Sequence, residues 1–220
     1  MTNALVCGFG SIGQRHVRLL REMGLDVYVY SRRSLSGEKR FPDLSSALTE
    51  TQPEYVVIAN ETSEHLTALK TVISYEVPKI LVEKPLFSTS IEKLLGNPNS
   101  QVRVAYNLRF HPLIQKLYSE IKDQTVLSVQ IYVGQYLPDW RPQQDYLNSY
   151  SVSKAQGGGV LRDLSHELDY INWLFGPWKA LTAVGGHFST LAGDSDDVFS
   201  LLLKMERCPA VSLQMNYFDR

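Results

Sequence analysis

Short apolar runs alternate with segments of helical period from Ala4 to about Tyr106. Runs such as YVVIA, at residues 55–59, are apolar on both faces, which is typical of strands that helices cover on each side. Strands of this kind, joined by right-handed helical crossovers, predict a doubly wound parallel sheet. The predicted elements are, in order, the strand ALVCG, a helix over 11–23, the strands LDVYVY and EYVVIA, a helix over 63–74, and the strands KILVE and VRVAY.

The pattern changes after Tyr106, because strands begin to follow one another directly. Helices are predicted over about 112–122 and 162–175, and the strand patterns are VLSVQIYVGQY, TAVGGHF, DVFSLLLKM and AVSLQMNY. Consecutive strands without intervening helices predict an open, mainly antiparallel sheet in an α+β arrangement. We therefore predict an α/β protein of two domains, residues 1–106 and 107–220.

The composition excludes several classes of function. With 44% hydrophobic residues, the 220-residue chain can form a substantial core. Its 22 basic and 23 acidic residues leave a net charge of -1, which favours neither nucleic acid nor an anionic membrane surface as a partner. Two cysteines form neither a disulfide framework nor a metal-ligand cluster, and no run reaches the roughly 18 apolar residues of a membrane span. We predict a cytoplasmic protein without a metal.

A glycine-rich segment, GFGSIG, lies between the first predicted strand and the first predicted helix and has the spacing GxGxxG. Gly8 permits a tight turn, Gly10 lets a pyrophosphate approach the backbone, and Gly13 allows close packing of helix on strand. The helix start adds unpaired N–H groups. This context predicts a Rossmann domain that binds a dinucleotide, and a purely structural glycine turn is the alternative. The predicted loop residues are Gly8, Phe9, Gly10, Ser11, Ile12 and Gly13.

The residues after the second strand bear on the choice of cofactor. An acidic residue commonly binds the adenine ribose there in NAD-selective proteins, but this chain has Ser31, Arg32 and Arg33. A guanidinium binds a 2'-phosphate in bidentate fashion, so NADP is favoured over NAD. Solvated surface arginines are the alternative interpretation.

Two later segments complete a recognisable set: EKP at 83–85 and GGGVLRDLSHELD at 157–169. With the glycine loop, VIANETSEHL at 57–66 and YNLRFHP at 106–112, the chain resembles the Gfo/Idh/MocA family of oxidoreductases over almost its whole length. The resemblance implies a Rossmann domain followed by a domain whose open sheet supports substrate binding and often oligomerisation. It also implies oxidation of a secondary alcohol with NAD or NADP, on polyols, sugars or nucleotide-linked sugars.

The chemistry requires a proton acceptor, because hydride loss from a carbinol carbon leaves a proton on oxygen. His166 is the candidate, since imidazole titrates near neutrality. Asp163, three residues earlier, shares its predicted helix face and could orient it, although many family members have a spacing of four, so Asp169 is an alternative. By analogy Lys84 binds the reacting hydroxyl or the nicotinamide ribose. We expect Lys84 and His166 to converge on one small molecule, and structural roles for these residues are the alternative.

Further residues are predicted to line the site. Glu83 is expected to hold the strand end that carries Lys84. Asn60 and His65 are placed near the nicotinamide, and the junction residues Asn107 and Arg109 near the substrate.

The segment from Tyr136 to Lys154 is rich in aromatic and hydroxyl groups, a composition that suits a sugar. Trp140 can stack on an apolar sugar face, and Arg141 and Tyr150 can reach hydroxyls or a phosphate. Arg162 either meets an anionic substrate or faces solvent. An ordered loop that covers the sheet is the alternative.

We predict an NAD(P)-dependent dehydrogenase or reductase, and the resemblance includes family members associated with surface-polysaccharide biosynthesis. One alternative is a catalytically silent dinucleotide-binding protein or subunit. Another is a nucleotide-sugar epimerase, since Tyr150 and Lys154 have the Tyr-x-x-x-Lys spacing.

Relatives in the family continue beyond the point at which this chain ends. The resemblance therefore implies an incomplete second domain with an open sheet edge. Such an edge favours pairing with another copy, so we expect either a homo-oligomer through the C-terminal sheet or a shortened chain.

Overall fold

The computed structural model describes residues 2–89, 96–140, 142 and 145–220. The chain forms two compact units, Met1–Ala105 and Tyr106–Arg220, and each is described by itself.

The first unit is built on a six-stranded sheet in the order β3-β2-β1-β4-β5-β6, with every neighbouring pair parallel. The chain starts in the middle of the sheet and reverses direction across it between β1 and β4, which creates a topological switch point. The strands are β1 (Asn3–Cys7), β2 (Asp26–Tyr30), β3 (Arg40–Phe41), β4 (Tyr55–Ile58), β5 (Lys79–Val82) and β6 (Gln101–Val104), and the helices are α1 (Ser11–Glu22), α2 (Leu44–Thr51) and α3 (His65–Ser74).

Both faces of this sheet are covered, because successive strand residues point to opposite sides. In β1, Leu5 packs with α2 and α3 on one side, where Leu48 and Leu69 are also fully buried. Val6 packs on the other side with Val17 of α1. The predicted doubly wound sheet is thus confirmed. The sequence pattern did not predict β3 and α2, since β3 has two residues and α2 has only two turns.

The second unit contains a four-stranded sheet in the order β7-β10-β9-β8. The β7 and β10 strands are parallel and the other two pairs are antiparallel, so the sheet is mixed and mainly antiparallel, as predicted. The strands are β7 (Ser128–Gly134), β8 (Trp178–Gly186), β9 (Val198–Met205) and β10 (Ala210–Asn216), and the helices are α4 (Pro112–Ile121), α5 (Val160–Asp163) and α6 (Ser165–Phe175).

Among the described residues of the second unit, the core lies on one face of the sheet. Leu203 and Leu213 are buried there with Ile171 and Leu174 of α6. On the other face Val184 and several neighbours are mostly exposed, among them Tyr132 and Leu202. That face lines a shallow cavity of about 560 Å³.

Among the described residues, no helix has the length and apolar character needed to cross a membrane. The same residues contain no group of three or more His, Cys, Asp or Glu side chains arranged to hold a metal ion.

Candidate functional site

The turn after β1 requires glycine at its first position. Gly8 has a φ of +97°, in the left-handed region that other residues rarely adopt. A Cβ atom there would lie 2.6 Å from the carbonyl oxygen of Ala59 and 2.7 Å from the backbone nitrogen of Asn60. The loop after β1 therefore packs directly against the loop after β4, on the carboxyl edge of the sheet.

The other two glycines of the loop occupy opposite environments. A Cβ atom at Gly13 would overlap the carbonyl oxygen of Gly8, whereas a Cβ at Gly10 would meet nothing within 4 Å. Gly10 is also the N-cap residue of α1, and it has no side chain that could cap the helix. The backbone N–H groups of the first turn therefore point towards the space beside Gly10. Open space beside Gly10 and an uncapped helix start suit a pyrophosphate.

A polar side chain flanks this loop. Asn60 follows β4, and its side-chain oxygen Oδ1 is buried without a hydrogen-bond partner among the described residues. A buried acceptor of this kind is costly unless a ligand group satisfies it. Sequence reasoning placed Asn60 near the cofactor, and its position beside Gly8 suits that role.

The residues after β2 form an ordered loop. Ser31 is buried, and its Oγ accepts a hydrogen bond from the backbone N–H of Arg33 at 3.1 Å. Nε of Arg40, in β3, donates to the carbonyl oxygen of Ser31 at 2.9 Å. The exposed guanidinium of Arg32 pairs with Glu64 at 2.9 Å, so an anionic ligand would compete with this carboxylate.

The EKP segment follows β5 at the same edge. Oε1 of Glu83 lies 2.6 Å from Nε2 of His16, which belongs to α1, and Oε2 accepts from the backbone N–H of Lys84 at 3.3 Å. The peptide bond between Lys84 and Pro85 is cis. Sequence reasoning expected Glu83 to hold the strand end and missed its partner, His16.

The histidine that follows β4 is enclosed by backbone. His65 is 1% exposed, its Nδ1 lies 3.1 Å from the carbonyl oxygen of Pro85 and 3.2 Å from that of Leu86, and its Nε2 lies 3.2 Å from that of Asn60. Burial lowers the pKa of His65, although these hydrogen bonds oppose the shift. The ring joins the loop after β4 to the loop after β5.

In the second unit, the predicted continuous helix over 162–175 is instead two helices. Leu164 has φ -97° and ψ 29°, which ends α5 at Asp163 before α6 begins at Ser165. The break at Leu164 therefore lies between Asp163 and His166, which were predicted to lie on one continuous helix. α5 also begins earlier than predicted, at Val160, whose backbone N–H donates to the carbonyl oxygen of Asp196 at 2.9 Å.

The glycine triplet allows two loops to approach α5. A Cβ atom at Gly158 would lie 2.6 Å from the carbonyl oxygen of Ser151, and Gly159 has a φ of +117°. Asp196 then caps α5, since its Oδ2 accepts from the backbone N–H of Leu161 at 3.0 Å.

Asp163 is 2% exposed, and its Oδ2 accepts a hydrogen bond of 2.6 Å from the hydroxyl of Tyr217, which is itself buried. Burial, followed by the charge of Asp163 and its hydrogen bond, raises the pKa of Tyr217. The His166 ring meets the ring of Tyr106 edge-on, with centroids 5.7 Å apart. Tyr217 lies at the end of the second sheet, so its partner was not evident from the sequence.

The alternative carboxylate, Asp169, forms a bidentate ion pair with Arg109 at 2.6 and 2.7 Å. Asp169 is largely buried, and the guanidinium of Arg109 lies 6.0 Å from the ring of Trp173. This pair fastens the short 3-10 helix Asn107–Phe110 to α6. Arg109 and Asn107 were predicted to lie near the substrate, and Arg109 has a carboxylate partner within its own unit.

The aromatic segment before the triplet packs partly on the core of its unit. The ring of Trp140 lies 6.0 Å from that of Tyr217, and Nη1 of Arg162 donates to the carbonyl oxygen of Gly158 at 2.6 Å. Arg141 lies outside the described residues. Tyr150 and Lys154 occupy two separate 3-10 helices, Tyr150–Val152 and Lys154–Gln156, instead of the single α-helix that an epimerase pair requires.

The strand order of the first sheet and the glycine loop at its switch point together define a dinucleotide-binding fold. An α+β unit with a mixed sheet follows it in the chain. Residues 121–219 match the family model of the GFO/IDH/MocA C-terminal domain. The predicted resemblance to the Gfo/Idh/MocA family is thereby confirmed for this part of the chain.

Individual proteins resemble the chain at low identity. An uncharacterized oxidoreductase of Synechocystis sp. is 27% identical over 150 residues, which are 65% of this chain and 40% of that protein. The chain therefore spans less than half of the curated relative it matches.

Solved structures match the fold of the whole chain. GenD2 from gentamicin A biosynthesis, in complex with NAD, has a TM-score of 0.81 at 22% identity over 100% of this chain and 66% of its own. The WlbA dehydrogenase of Bordetella pertussis, in complex with NADH and UDP-GlcNAcA, has a TM-score of 0.81 at 17% identity over 99% and 73%. An oxidoreductase of Agrobacterium radiobacter, in complex with NAD+, L-tartaric acid and magnesium, has a TM-score of 0.82 at 16% identity over 100% and 67%.

Proposed function

We propose that this chain belongs to an NAD(P)-dependent oxidoreductase that moves hydride between nicotinamide and a secondary alcohol or ketone. The substrate class is a sugar, polyol or nucleotide-linked sugar. The observation that carries the proposal is the glycine loop at the switch point, with the loops after β4 and β5 at the same sheet edge. The NADH and UDP-GlcNAcA bound by WlbA support both the cofactor and the substrate class.

The residues of the first unit fit a dinucleotide. The first turn of α1 and the open space at Gly10 would receive the pyrophosphate, and Asn60 offers its unsatisfied oxygen to a donor group of the cofactor. NADP is favoured because Arg33 is exposed beside Ser31 and Arg32 could exchange Glu64 for a 2'-phosphate. Bound nicotinamide would supply or accept the hydride.

The chain's own residues would handle the proton. His166 would take the proton of the hydroxyl during oxidation and return it during reduction. The Lys84 ammonium would stabilise the negative charge that develops on the same oxygen. Asp163 is buried against Tyr217, so we assign it a positioning role at the start of α6.

The substrate would lie along the second unit. Asn107, Tyr150 and Arg162 are candidates for hydroxyl or phosphate contacts. Trp140 is the candidate for stacking on a sugar face, and Arg109, which pairs with Asp169, is a further lining candidate. We also propose a cytoplasmic homo-oligomer that pairs through the exposed sheet face around Leu202, which light scattering of the parent and Leu202→Lys would test.

The function is tested by fluorescence titration with NADH and NADPH, followed by turnover of nucleotide-linked sugars. Lys84→Ala and His166→Ala should retain cofactor binding and lose turnover. If both variants turned over a substrate as fast as the parent, the catalytic assignments would be wrong. Cofactor binding by the parent without turnover of any sugar would favour a silent dinucleotide-binding subunit.

A further inference from the structure

A histidine on the pyrophosphate helix contacts the segment that carries Lys84. His16 lies in α1, five residues after the helix begins at Ser11. Its Nε2 is 2.6 Å from Oε1 of Glu83, and both side chains are more than four-fifths buried. Charge-assisted hydrogen bonds of this length, shielded from water, hold geometry tightly.

Glu83 in turn contacts Lys84. The second carboxylate oxygen of Glu83 accepts from the backbone N–H of Lys84 at 3.3 Å. A continuous path therefore runs from α1, through His16 and Glu83, to the backbone of Lys84. Since a lysine side chain is long and flexible, the direction of its backbone decides which region the ammonium can reach.

The other side of the same segment is also held. His65 contacts the carbonyl oxygens of Pro85 and Leu86 from a fully buried position in α3. A neutral imidazole carries one N–H, so it donates either to these carbonyls or to that of Asn60. His65 thus restrains the residues that follow Lys84, while His16 restrains the residue before it.

We propose that His16 is a positioning residue for Lys84, coupling the helix that would receive the pyrophosphate to the catalytic ammonium. The inference rests on the proposed catalytic role of Lys84. When a cofactor binds at the first turn of α1, the contacts from His16 through Glu83 would already hold the backbone of Lys84 in place. If the His16–Glu83 contact served stability alone, its removal would leave the surroundings of Lys84 unchanged.

The test observes Lys84 directly, in the 220-residue chain. Lysines are methylated with 13C-formaldehyde, which keeps their charge, and the Lys84 signal is assigned in proton-carbon spectra with Lys84→Arg. The informative variants are His16→Leu, which removes the contact, and His16→Gln, which keeps a donor. The matched control is Arg18→Gln on the same helix, because the contact of Arg18 with Glu22, at 3.8 Å, is exposed.

We expect His16→Leu to shift the Lys84 signal and its titration midpoint, His16→Gln to restore most of the parent behaviour, and Arg18→Gln to change neither. With a substrate in hand, kcat should fall about 10- to 100-fold in His16→Leu while the Kd for NADPH changes less than about threefold, as misdirection of a catalytic group predicts.

An unchanged Lys84 signal in His16→Leu, accompanied by a lower melting temperature, would overturn the proposal. If His16→Leu did not fold, His16→Gln and Glu83→Gln would decide, since an unshifted Lys84 signal in Glu83→Gln also contradicts the coupling. Failure of the parent to bind NADH or NADPH would defeat the proposed function and with it the catalytic role of Lys84. The coupling from His16 to Lys84 is decided separately, because the Lys84 signal is compared without cofactor.

Discussion

The two units of this protein use different means to hold their candidate residues. In the first, most of the contacts run to backbone, with glycines packed on backbone atoms and a histidine on three carbonyl groups, and the His16–Glu83 pair is the exception. In the second, they join side chains from distant segments, as in Asp163 with Tyr217 and Arg109 with Asp169. Backbone contacts depend on chain geometry that short motifs encode, whereas side-chain pairs depend on the assembled fold.

The sheets differ in the same sense. The first sheet is covered on both faces, so its strands are continuous apolar runs, which are easily recognised in the sequence. The second has its core on one face, and its β9 strand alternates between buried and exposed residues. Four substitutions would break or sharpen the comparison, beginning with the largest expected effect.

Gly8→Ala should destabilise the first unit by about 3 kcal/mol or more, because it combines a left-handed φ with overlap of backbone atoms. The control is Gly24→Ala, at φ +82° with nothing within 4 Å, for which a loss of about 1 kcal/mol is expected. Urea unfolding of both variants measures the difference. Equal losses would mean that the approach of Ala59 and Asn60 has no energetic consequence.

Tyr217→Phe should cost about 2 kcal/mol in the second unit, since it removes a hydrogen bond to a buried carboxylate. Tyr132→Phe is the comparison, because Tyr132 is exposed and its hydroxyl accepts a neutral hydrogen bond from the side chain of the buried Asn216, so the loss should be smaller, about 1 kcal/mol. Thermal unfolding of the two variants separates them. A smaller loss for Tyr217→Phe than for Tyr132→Phe would contradict the side-chain account of this unit.

Arg109→Lys should cost about 1 kcal/mol, because lysine cannot reproduce the bidentate contact and the pair is partly screened by solvent. Lys122→Ala removes an exposed partner of Asp123 at 3.9 Å and should change the free energy of unfolding by less than about 0.5 kcal/mol. Chemical denaturation compares the two. Equal losses in the free energy of unfolding would contradict the proposal that the Arg109–Asp169 pair holds residues 107–110 against α6.

The smallest effect concerns pH. His65 is buried with its pKa lowered, so the unfolded chain binds its proton more readily than the folded chain. Its contribution is complete above the unfolded pKa, near 6.5, and is lost as pH falls from there through the folded pKa. Stability of the parent relative to His65→Asn should therefore decline by less than about 1 kcal/mol from about pH 7.5 to about pH 6. A parallel pH dependence in both proteins would show that His65 does not titrate differently on folding.

Several features of the candidate site were within reach of the sequence. The glycine loop was predicted because the spacing of its glycines between a strand and a helix is a local sequence pattern, and Glu83 was expected to hold the end of β5. His16 was missed, although a signal exists: it shares the helical face of Gly13, Val17 and Leu20, where an ionisable group needs a partner. The early start of α5 was missed because Asp196, 35 residues away from Leu161, caps it.

Periodicity and glycine spacing were sufficient for the parallel sheet, the mainly antiparallel sheet and the turn after β1, because each depends on residues close together in the chain. The partners of Glu83, Asp163 and Asp169 lie 67, 54 and 60 residues away from them. Side chains so far apart meet only when strand order and helix packing bring them within hydrogen-bonding distance, and that arrangement is a property of the folded chain.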